Sequence, residues 1–474
     1  MIRMRELNGY ESLLSRIQEK RARIAVLGQG YIGLPLALLL CEAGYHVVGF
    51  DINVELIENL TKGRTKFSEP GVEDLIKKCL LSGRYFPESK AEEALKNKDV
   101  YIVAVQTPIK PNSKPDLRYL LSALNLILPW IKERYLPVLL VIESTIPPKT
   151  MEEIILPLLE REGFFVGEDI FLAYCPERAM PGRLLRELME ADRIIGVIDE
   201  SSGKLAASLY SSFTRGSVRI THARTAELVK LVENSYRDLN IAFANAIALI
   251  CEALGVDVNE VRALANLHPR VNILRPGIGV GGSCLTKDPY FLLSSVSNNN
   301  VNLSLIWAAR KLNEKLPKHA ARIITNAIKS RGKSPEESLI AILGITYKGN
   351  VRDYRNSPVL ELIHELKGEG FRITVYDPLV EEMPEELGEI CNSLEEAVRG
   401  ADCVVVGAEH PMFLRMDLDE VRALCRENPI FFDGKHVFER KSVEKSGFEY
   451  LSVGCPTNVI EILKEIVEHH IYEP

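Results

Sequence analysis

The sequence predicts an α/β protein in which two doubly wound domains, each with a mainly parallel sheet, are joined by a central helical region containing one long helix. Two observations predict it. Short apolar runs alternate with helical stretches from residue 23, the strand signal disappears between about 200 and 330, and the alternation returns near 339. The two alternating stretches also echo each other. IAVLG at 24–28 matches IAILG at 340–344, and EAGYHVVGFD ending at Asp51 matches GEGFRITVYD ending at Asp377.

Taken in order, residues 1–22 are a mixed-charge extension or short amphipathic helix without an apolar leader core. The first α/β domain, 23–205, opens with RIAVL, a glycine-rich turn, an apolar helix and a second apolar run, which make a βαβ unit. Further strands are expected at 100–108, 138–145, 171–177 and 193–198. In the helical middle, 206–330, residues 225–257 repeat apolar positions at helical spacing up to Gly255, as a connector or dimer interface would. The second α/β domain, 331–474, carries strand runs in LIAILGITYK, FRITVYDP, DCVVVGAEH and PIFFDGK.

A length of 474 residues, 46% hydrophobic and 26% charged, suits two or three ordinary globular cores. The net charge of −7 argues against a nucleic-acid partner. No apolar run approaches the roughly 20 residues that span a bilayer, so no membrane association is expected. Nine scattered cysteines, odd in number and without a CxxC pair, are neither a disulfide framework nor a metal pattern, and point to a reducing cytoplasm.

Gly28, Gly30 and Gly33 form GxGxxG directly after a strand and at a helix start. The first glycine makes the turn, the second admits a pyrophosphate, and the third lets helix and strand pack closely. Asp51, at the end of the second strand, suits the adenosine ribose hydroxyls and would repel a 2′-phosphate, which favours NAD over NADP. The second domain keeps only Gly344 of this set, so a different ligand is expected there. PGIGVGGSCLTKDP, 276–289, sets Cys284 at the end of a glycine-rich turn, as close approach of a bulky substrate to a thiol would require. Lys230 and Asn234 are spaced i, i+4 and project from one helix face, where ammonium and amide could stabilise an oxyanion.

GQGYIGLPLA (28–37), QTP (106–108), EST (143–145), CPER (175–178), AELVKLVENSYRDLNIAFANA (226–246), PGIGVGGSC (276–284) with KDP (287–289), and GITYKGNVRDYRNSP (344–358) follow in that order. Together they resemble the UDP-glucose/GDP-mannose dehydrogenase family, over nearly the whole chain from about 23 to 460. The resemblance implies two Rossmann-like domains and NAD-dependent, four-electron oxidation of the C6 alcohol of a UDP-sugar to a carboxylate. It makes Cys284 the nucleophile that holds the aldehyde as a thiohemiacetal and then the acid as a thioester. Asp288 would work with Lys230 through water as base, with Asn234 beside them. Glu177 would assist thioester hydrolysis, and Thr145 would position water or cofactor. Tyr31, Ile32, Thr107 and Thr145 would join the glycines and Asp51 around NAD. Arg178, Gly281, Tyr347, Lys348 and Arg355 would join Glu177, Lys230 and Asn234 around the UDP-sugar. Arg270 would reach the substrate of a neighbouring subunit, which makes a homodimer or larger homo-oligomer the expected assembly. Lys287 is given no role.

PERAMPG at 176–182 and HPRVNILRPGIGVGGSC at 268–284 look like the UDP-N-acetylmannosamine branch of the family, with UDP-N-acetylglucosamine and UDP-glucose as alternatives. That branch usually carries histidine immediately before the cysteine, where this chain has Ser283. A two-electron hydroxyacid dehydrogenase would need neither Cys284 nor a second α/β domain. A non-catalytic sensor of NAD or nucleotide sugar would be expected to have lost some of these positions.

Overall fold

The computed structural model describes residues 2–66, 69–134, 136–180, 182–296, 301–380 and 382–455. Pro181, residues 297–300 of the helical middle and residues 456–474 of the second α/β domain lie outside them. The described residues form two compact units: those up to Glu233 with those of 290–301, and those of Asn234–Pro289 with those from Asn302 onward. The helix Ala223–Leu254 runs through the division between them.

In the first unit, eight strands lie in the order β3-β2-β1-β4-β5-β6-β7-β8. They are β1 Arg23–Leu27, β2 His46–Phe50, β3 Tyr85–Glu88, β4 Val100–Val103, β5 Val138–Ile142, β6 Ile170–Tyr174, β7 Arg193–Val197 and β8 Val218–His222. All pairings are parallel except β6 with β7. The continuous apolar runs of β4, β5 and β6 are buried throughout, as central strands covered on both faces must be. Helix Gly33–Glu42, apolar nearly all round, is a core helix for the same reason.

Two edge strands depart from the sequence expectation. β3 contains Pro87 and β8 reads VRITH with exposed positions, so neither carries an apolar run. The sheet therefore continues to His222, beyond the expected end of the domain at 205. The N-terminal stretch is a helix, Ile2–Gln18, and it belongs to this unit. Leu13 and Ile17 are fully buried, Tyr45 Oη donates to the Ile17 carbonyl at 2.8 Å, and Arg16 pairs with Asp99 at 2.7 Å.

The second unit contains a six-stranded, fully parallel sheet in the order β11-β10-β9-β12-β13-β14. Its strands are β9 Leu339–Leu343, β10 Arg372–Tyr376, β11 Glu389–Ile390, β12 Cys403–Val406, β13 Ile430–Asp433 and β14 Glu449–Leu451. Its order repeats that of the first six strands of the other sheet, the doubly wound arrangement in which ligands bind beyond the strand carboxyl ends where the order reverses. The echo in sequence is an echo in geometry. Gly28 (φ +90°) and Gly344 (φ +85°) both donate to the last residue of the neighbouring strand, Phe50 and Tyr376, at 2.8 Å. Among the described residues no helix is long and apolar enough to cross a membrane.

Candidate active site

In the first unit the turn after β1 gives each glycine a distinct task. A Cβ on Gly28 would lie 2.6 Å from the Ala104 carbonyl oxygen, and one on Gly33 would lie 1.8 Å from that of Gly28. A Cβ on Gly30 would meet nothing within 4 Å, so no protein atom requires its bareness. The turn is held by buried Gln29, whose Nε2 donates to the Val26 carbonyl at 2.8 Å and whose Oε1 accepts from Tyr85 Oη at 2.7 Å. Asp51 accepts from the backbone N–H groups of Gln29 (2.8 Å) and Asn53 (2.9 Å), which aims its carboxylate beyond the end of β2. An open glycine, the adjoining helix N-terminus and a fixed carboxylate fit the pyrophosphate and ribose of NAD. Tyr31 Oη donates to buried Glu69, which also accepts from the N–H groups of Gly182 and Leu184. Ile32 packs with the Leu39, Leu184 and Leu188 cluster. Thr107 Oγ1 donates to the Thr145 carbonyl at 2.7 Å, so these two expected cofactor residues are fastened together.

Beyond β6, buried Glu177 accepts from the Ala179 N–H, and its own carbonyl accepts from Lys230 Nζ. Burial raises the Glu177 carboxyl above its ordinary value, against the opposing pull of Lys230. Nearby, burial pushes Glu143 up to about 7, while Arg193 and the Tyr210 hydroxyl, which donates at 2.6 Å, pull the other way. Arg178 makes a bidentate pair with Glu233 and donates to the Asp192 carbonyl at 3.0 Å, so here it clamps the long helix. Glu227, three residues before Lys230, accepts from the Lys149 and Met151 N–H groups at 2.6 and 2.8 Å, a helix-capping role that its sequence context does not announce.

In the second unit Cys284 is the one exposed cysteine of the nine; Cys425 is intermediate and the others are buried. Ser283 Oγ lies 3.7 Å from its sulfur, on the residue where the branch usually has histidine. The Cys284 carbonyl accepts from the N–H groups of Lys287 (3.1 Å) and Asp288 (2.9 Å), which starts helix Asp288–Ser295. Asn234 Nδ2 donates to Asp288 Oδ2 at 2.6 Å, and both side chains are buried. Lys287, given no role by the sequence, is a largely buried cation with Nζ 3.6 Å from Asp288 Oδ1.

The glycines before Cys284 have a packing cause that the sequence does not announce. A Cβ on Gly281 would lie 2.6 Å from the Asn356 carbonyl oxygen and 2.7 Å from Tyr347 Cβ, while Gly282 (φ +88°) lies against the Tyr347 ring. Gly279 (φ +122°) meets Asn313, Pro358 and Pro317. Close packing against the 347–358 loop, and at Gly279 also against Asn313 and Pro317, by itself requires their bareness. That loop brings Tyr347 to the cysteine turn. Lys348 lies next in the same loop, and its carbonyl accepts from Thr346 Oγ1 at 3.1 Å. Arg355 is exposed and forms a bidentate pair with Asp353 at 2.8 and 2.9 Å. Lys435, which follows β13 and was not singled out by sequence, donates to the Tyr347 carbonyl at 3.4 Å, and burial lowers its pKa. Arg270 is exposed on a loop closed by Asn266, which exchanges hydrogen bonds with the backbone of Ile273 at 2.7 and 3.0 Å.

Asp377 occupies the position in this sheet that Asp51 holds in the other, but it is buried and more heavily hydrogen-bonded. Oδ2 accepts from Ile345 N–H (2.8 Å), Thr346 N–H (3.3 Å) and His410 Nε2 (3.2 Å), and Oδ1 accepts from Leu379 N–H (2.9 Å). Oδ1 is engaged by the N–H two residues on, as at Asp51. What differs is that Asp377 is buried and its Oδ2 carries three hydrogen bonds, where that of half-buried Asp51 carries one.

A glycine turn of the dinucleotide type with an acid at the next strand end, a second doubly wound domain and one exposed thiol on a packed turn are the parts of a nicotinamide-linked oxidoreductase of the nucleotide-sugar class. The chain belongs to the UDP-glucose/GDP-mannose dehydrogenase family, matching its NAD binding domain over residues 22–214, its central domain over 224–315 and its UDP binding domain over 341–440. It is 41% identical to the UDP-N-acetyl-D-mannosamine dehydrogenase of Pyrococcus horikoshii, over 91% of this chain and 99% of that one. Among solved structures it resembles the UDP-N-acetyl-mannosamine dehydrogenase Cap5O of Staphylococcus aureus, with TM-score 0.80, 33% identity, and coverage of 93% of this chain and all of the other. It also resembles a UDP-glucose dehydrogenase of Pyrobaculum islandicum, with TM-score 0.82, 27% identity, and coverage of 92% and 98%.

Proposed function

We propose that this chain oxidises the C6 hydroxyl of UDP-N-acetyl-D-mannosamine to the carboxylate, through a covalent intermediate on Cys284. The observation that carries the reading is the exposure of this one thiol on a turn whose following aspartate is locked by Asn234. NAD, when bound, supplies the electron acceptor for both two-electron oxidations. Gly28, Gly30, Tyr31, Ile32, Gly33, Asp51, Thr107 and Thr145 are the residues that would hold it. Asp288, aided by Lys230, takes the proton of the C6 hydroxyl in the first oxidation. The Cys284 thiolate then adds to the aldehyde carbon, and Lys230 and the second Asn234 amide N–H stabilise the oxyanion. After the second oxidation the acyl group is a thioester on Cys284. Glu177, its pKa raised by burial, removes a proton from the attacking water, and the thiolate leaves as the acid forms.

Tyr347, Lys348, Arg355 and Gly281, together with Lys435, are proposed to receive the UDP moiety, cations being the natural partners of a diphosphate. Glu177 and Arg178 complete the proposed sugar contacts. The names of the similar dehydrogenases and the PERAMPG stretch support the mannosamine sugar.

We further propose a homodimer formed along the long helix, in a cytoplasmic enzyme. Leu228, Val232, Tyr236, Phe243, Ile250 and Leu254 are exposed and fall on one narrow stripe of that helix at 100° per residue. Arg270, exposed on its closed loop, would reach the partner's substrate. The division into extension, NAD-binding, central and UDP-sugar domains at 22, 205 and 330 is retained as a functional one, with the first sheet's last strand added to the NAD-binding part.

The test is NADH yield with limiting UDP-N-acetylmannosamine, UDP-N-acetylglucosamine and UDP-glucose, with sedimentation to read the oligomer. Two NADH per sugar from the mannosamine compound alone is the expected result. Two from another sugar moves the substrate, and one or none with every sugar overturns the mechanism.

A further inference from the structure

Behind the Cys284 turn lies a fully buried polar chain that the chemistry above does not use. Arg310 and Asp238 form an ion pair at 2.6 Å, with side chains 1% and 2% exposed. The same Arg310 nitrogen donates to the Leu285 carbonyl at 3.2 Å, on the residue immediately after the cysteine. Glu314 Oε1 lies 3.5 Å from Arg310 Nε on the outer side. Asn313 Nδ2 donates to Asp238 Oδ1 at 2.8 Å and to the Asp238 carbonyl at 3.0 Å. Asn313 Oδ1 in turn accepts from Asn245 Nδ2 at 2.9 Å, and Asn245 Oδ1 accepts from the Gly277 N–H at 2.9 Å. The chain of hydrogen bonds therefore begins at Gly277 and ends at Leu285, the two ends of the turn that carries the thiol.

We propose that Asp238, Arg310, Asn313 and Asn245 are positioning residues that hold the Cys284 turn at both ends and so fix where the sulfur is presented. Two physical arguments carry this. A buried ion pair is a poor way to gain stability, because apolar residues of similar volume commonly do as well or better. Its value lies in direction: a guanidinium and two amides accept only one arrangement of partners, whereas apolar packing tolerates sliding. Second, Asn234, Asp238 and Asn245 lie within 40° of one another around the long helix, calculated at 100° per residue. The helix face that locks Asp288 is thus the face that anchors the turn, and one rigid element sets both groups.

The test compares wild type with the double variant Asp238→Leu/Arg310→Met, which leaves no unpaired buried charge, and with Asn245→Leu, which removes the Gly277 anchor and its link to Asn313 while keeping the ion pair. Melting temperature and NAD affinity, by fluorescence, report folding. Kinetics with the UDP-sugar and the rate of iodoacetamide alkylation at the Cys284 peptide, followed against pH, report the turn. The expected result is kcat lower by on the order of 100-fold in the folded double variant, the cost of about 1 Å of misplacement. KM and NAD affinity should change by less than about threefold, and the alkylation profile should shift in both variants. Wild-type kcat and an unchanged alkylation profile in a folded double variant would overturn the proposal. If that variant does not fold, the same two readouts on Asn245→Leu decide it. The proposal rests on Cys284 as nucleophile. The wild type's own NADH yield tests that reading separately, since the alkylation comparison needs no turnover.

Discussion

Replacing Glu143 by glutamine should flatten the pH dependence of stability of the first unit. Burial raises this carboxyl from 4.5 to about 7. Only Oε1 has a hydrogen bond, from Tyr210 at 2.6 Å, while Oε2 is buried without a partner among the described residues. A raised carboxyl binds its proton more tightly in the folded state. Its contribution to stability is therefore fully present below 4.5 and is lost as pH rises through about 7. At about 1.4 kcal/mol per pH unit between those two values, the loss approaches about 3 kcal/mol at pH 8. Glutamine keeps an oxygen for Tyr210 and cannot ionise, so it escapes this loss. Unfolding temperatures of wild type and Glu143→Gln, measured by calorimetry from pH 4.5 to 8, test the point. With about 2–4 °C per kcal/mol for a unit of this size, the wild type should fall by about 6–12 °C more than the variant. Parallel profiles would refute the reasoning, since any other titrating group is common to both proteins.

The remaining predictions divide ligand contact from packing. Cys284→Ala should abolish acid formation while NAD affinity, by fluorescence titration, stays within about twofold. Gly30→Val should leave the melting temperature unchanged and weaken NAD at least about tenfold, because no protein atom fills the space. Gly33→Ala should instead lower the melting temperature, since its Cβ would strike the Gly28 carbonyl oxygen. Gly281→Ala forces a shift against Asn356 and Tyr347 and should cost about 1–3 kcal/mol in denaturant unfolding, with activity falling alongside. Leu13→Ala, in the N-terminal helix, should destabilise the first unit by about 2–5 kcal/mol, because the side chain is fully buried there.

What the sequence determined by itself was whatever a local pattern encodes. Apolar runs as long as a strand, the glycine spacing after Leu27, Asp51 at the next strand end and a thiol after PGIGVGGS each lie within a few dozen residues, and each has a physical signature at that range. The paired α/β domains and most of the candidate site follow from them. Tertiary structure decided what depends on partners far apart in the chain. Edge strands β3 and β8 lack an apolar run because one side of an edge needs no neighbour, so only pairing reveals them. The N-terminal helix shows its purpose only when Tyr45 and Asp99 come to meet it. Asp377 looks like Asp51 in sequence and differs because His410, on a separate loop, claims it. The glycines of the cysteine turn, read locally as room for a substrate, are also room for Tyr347 and Asn356, which only the fold brings there. The Asp238–Arg310 pair spans 72 residues, a separation at which no periodicity survives and only the packed fold can bring two charges together.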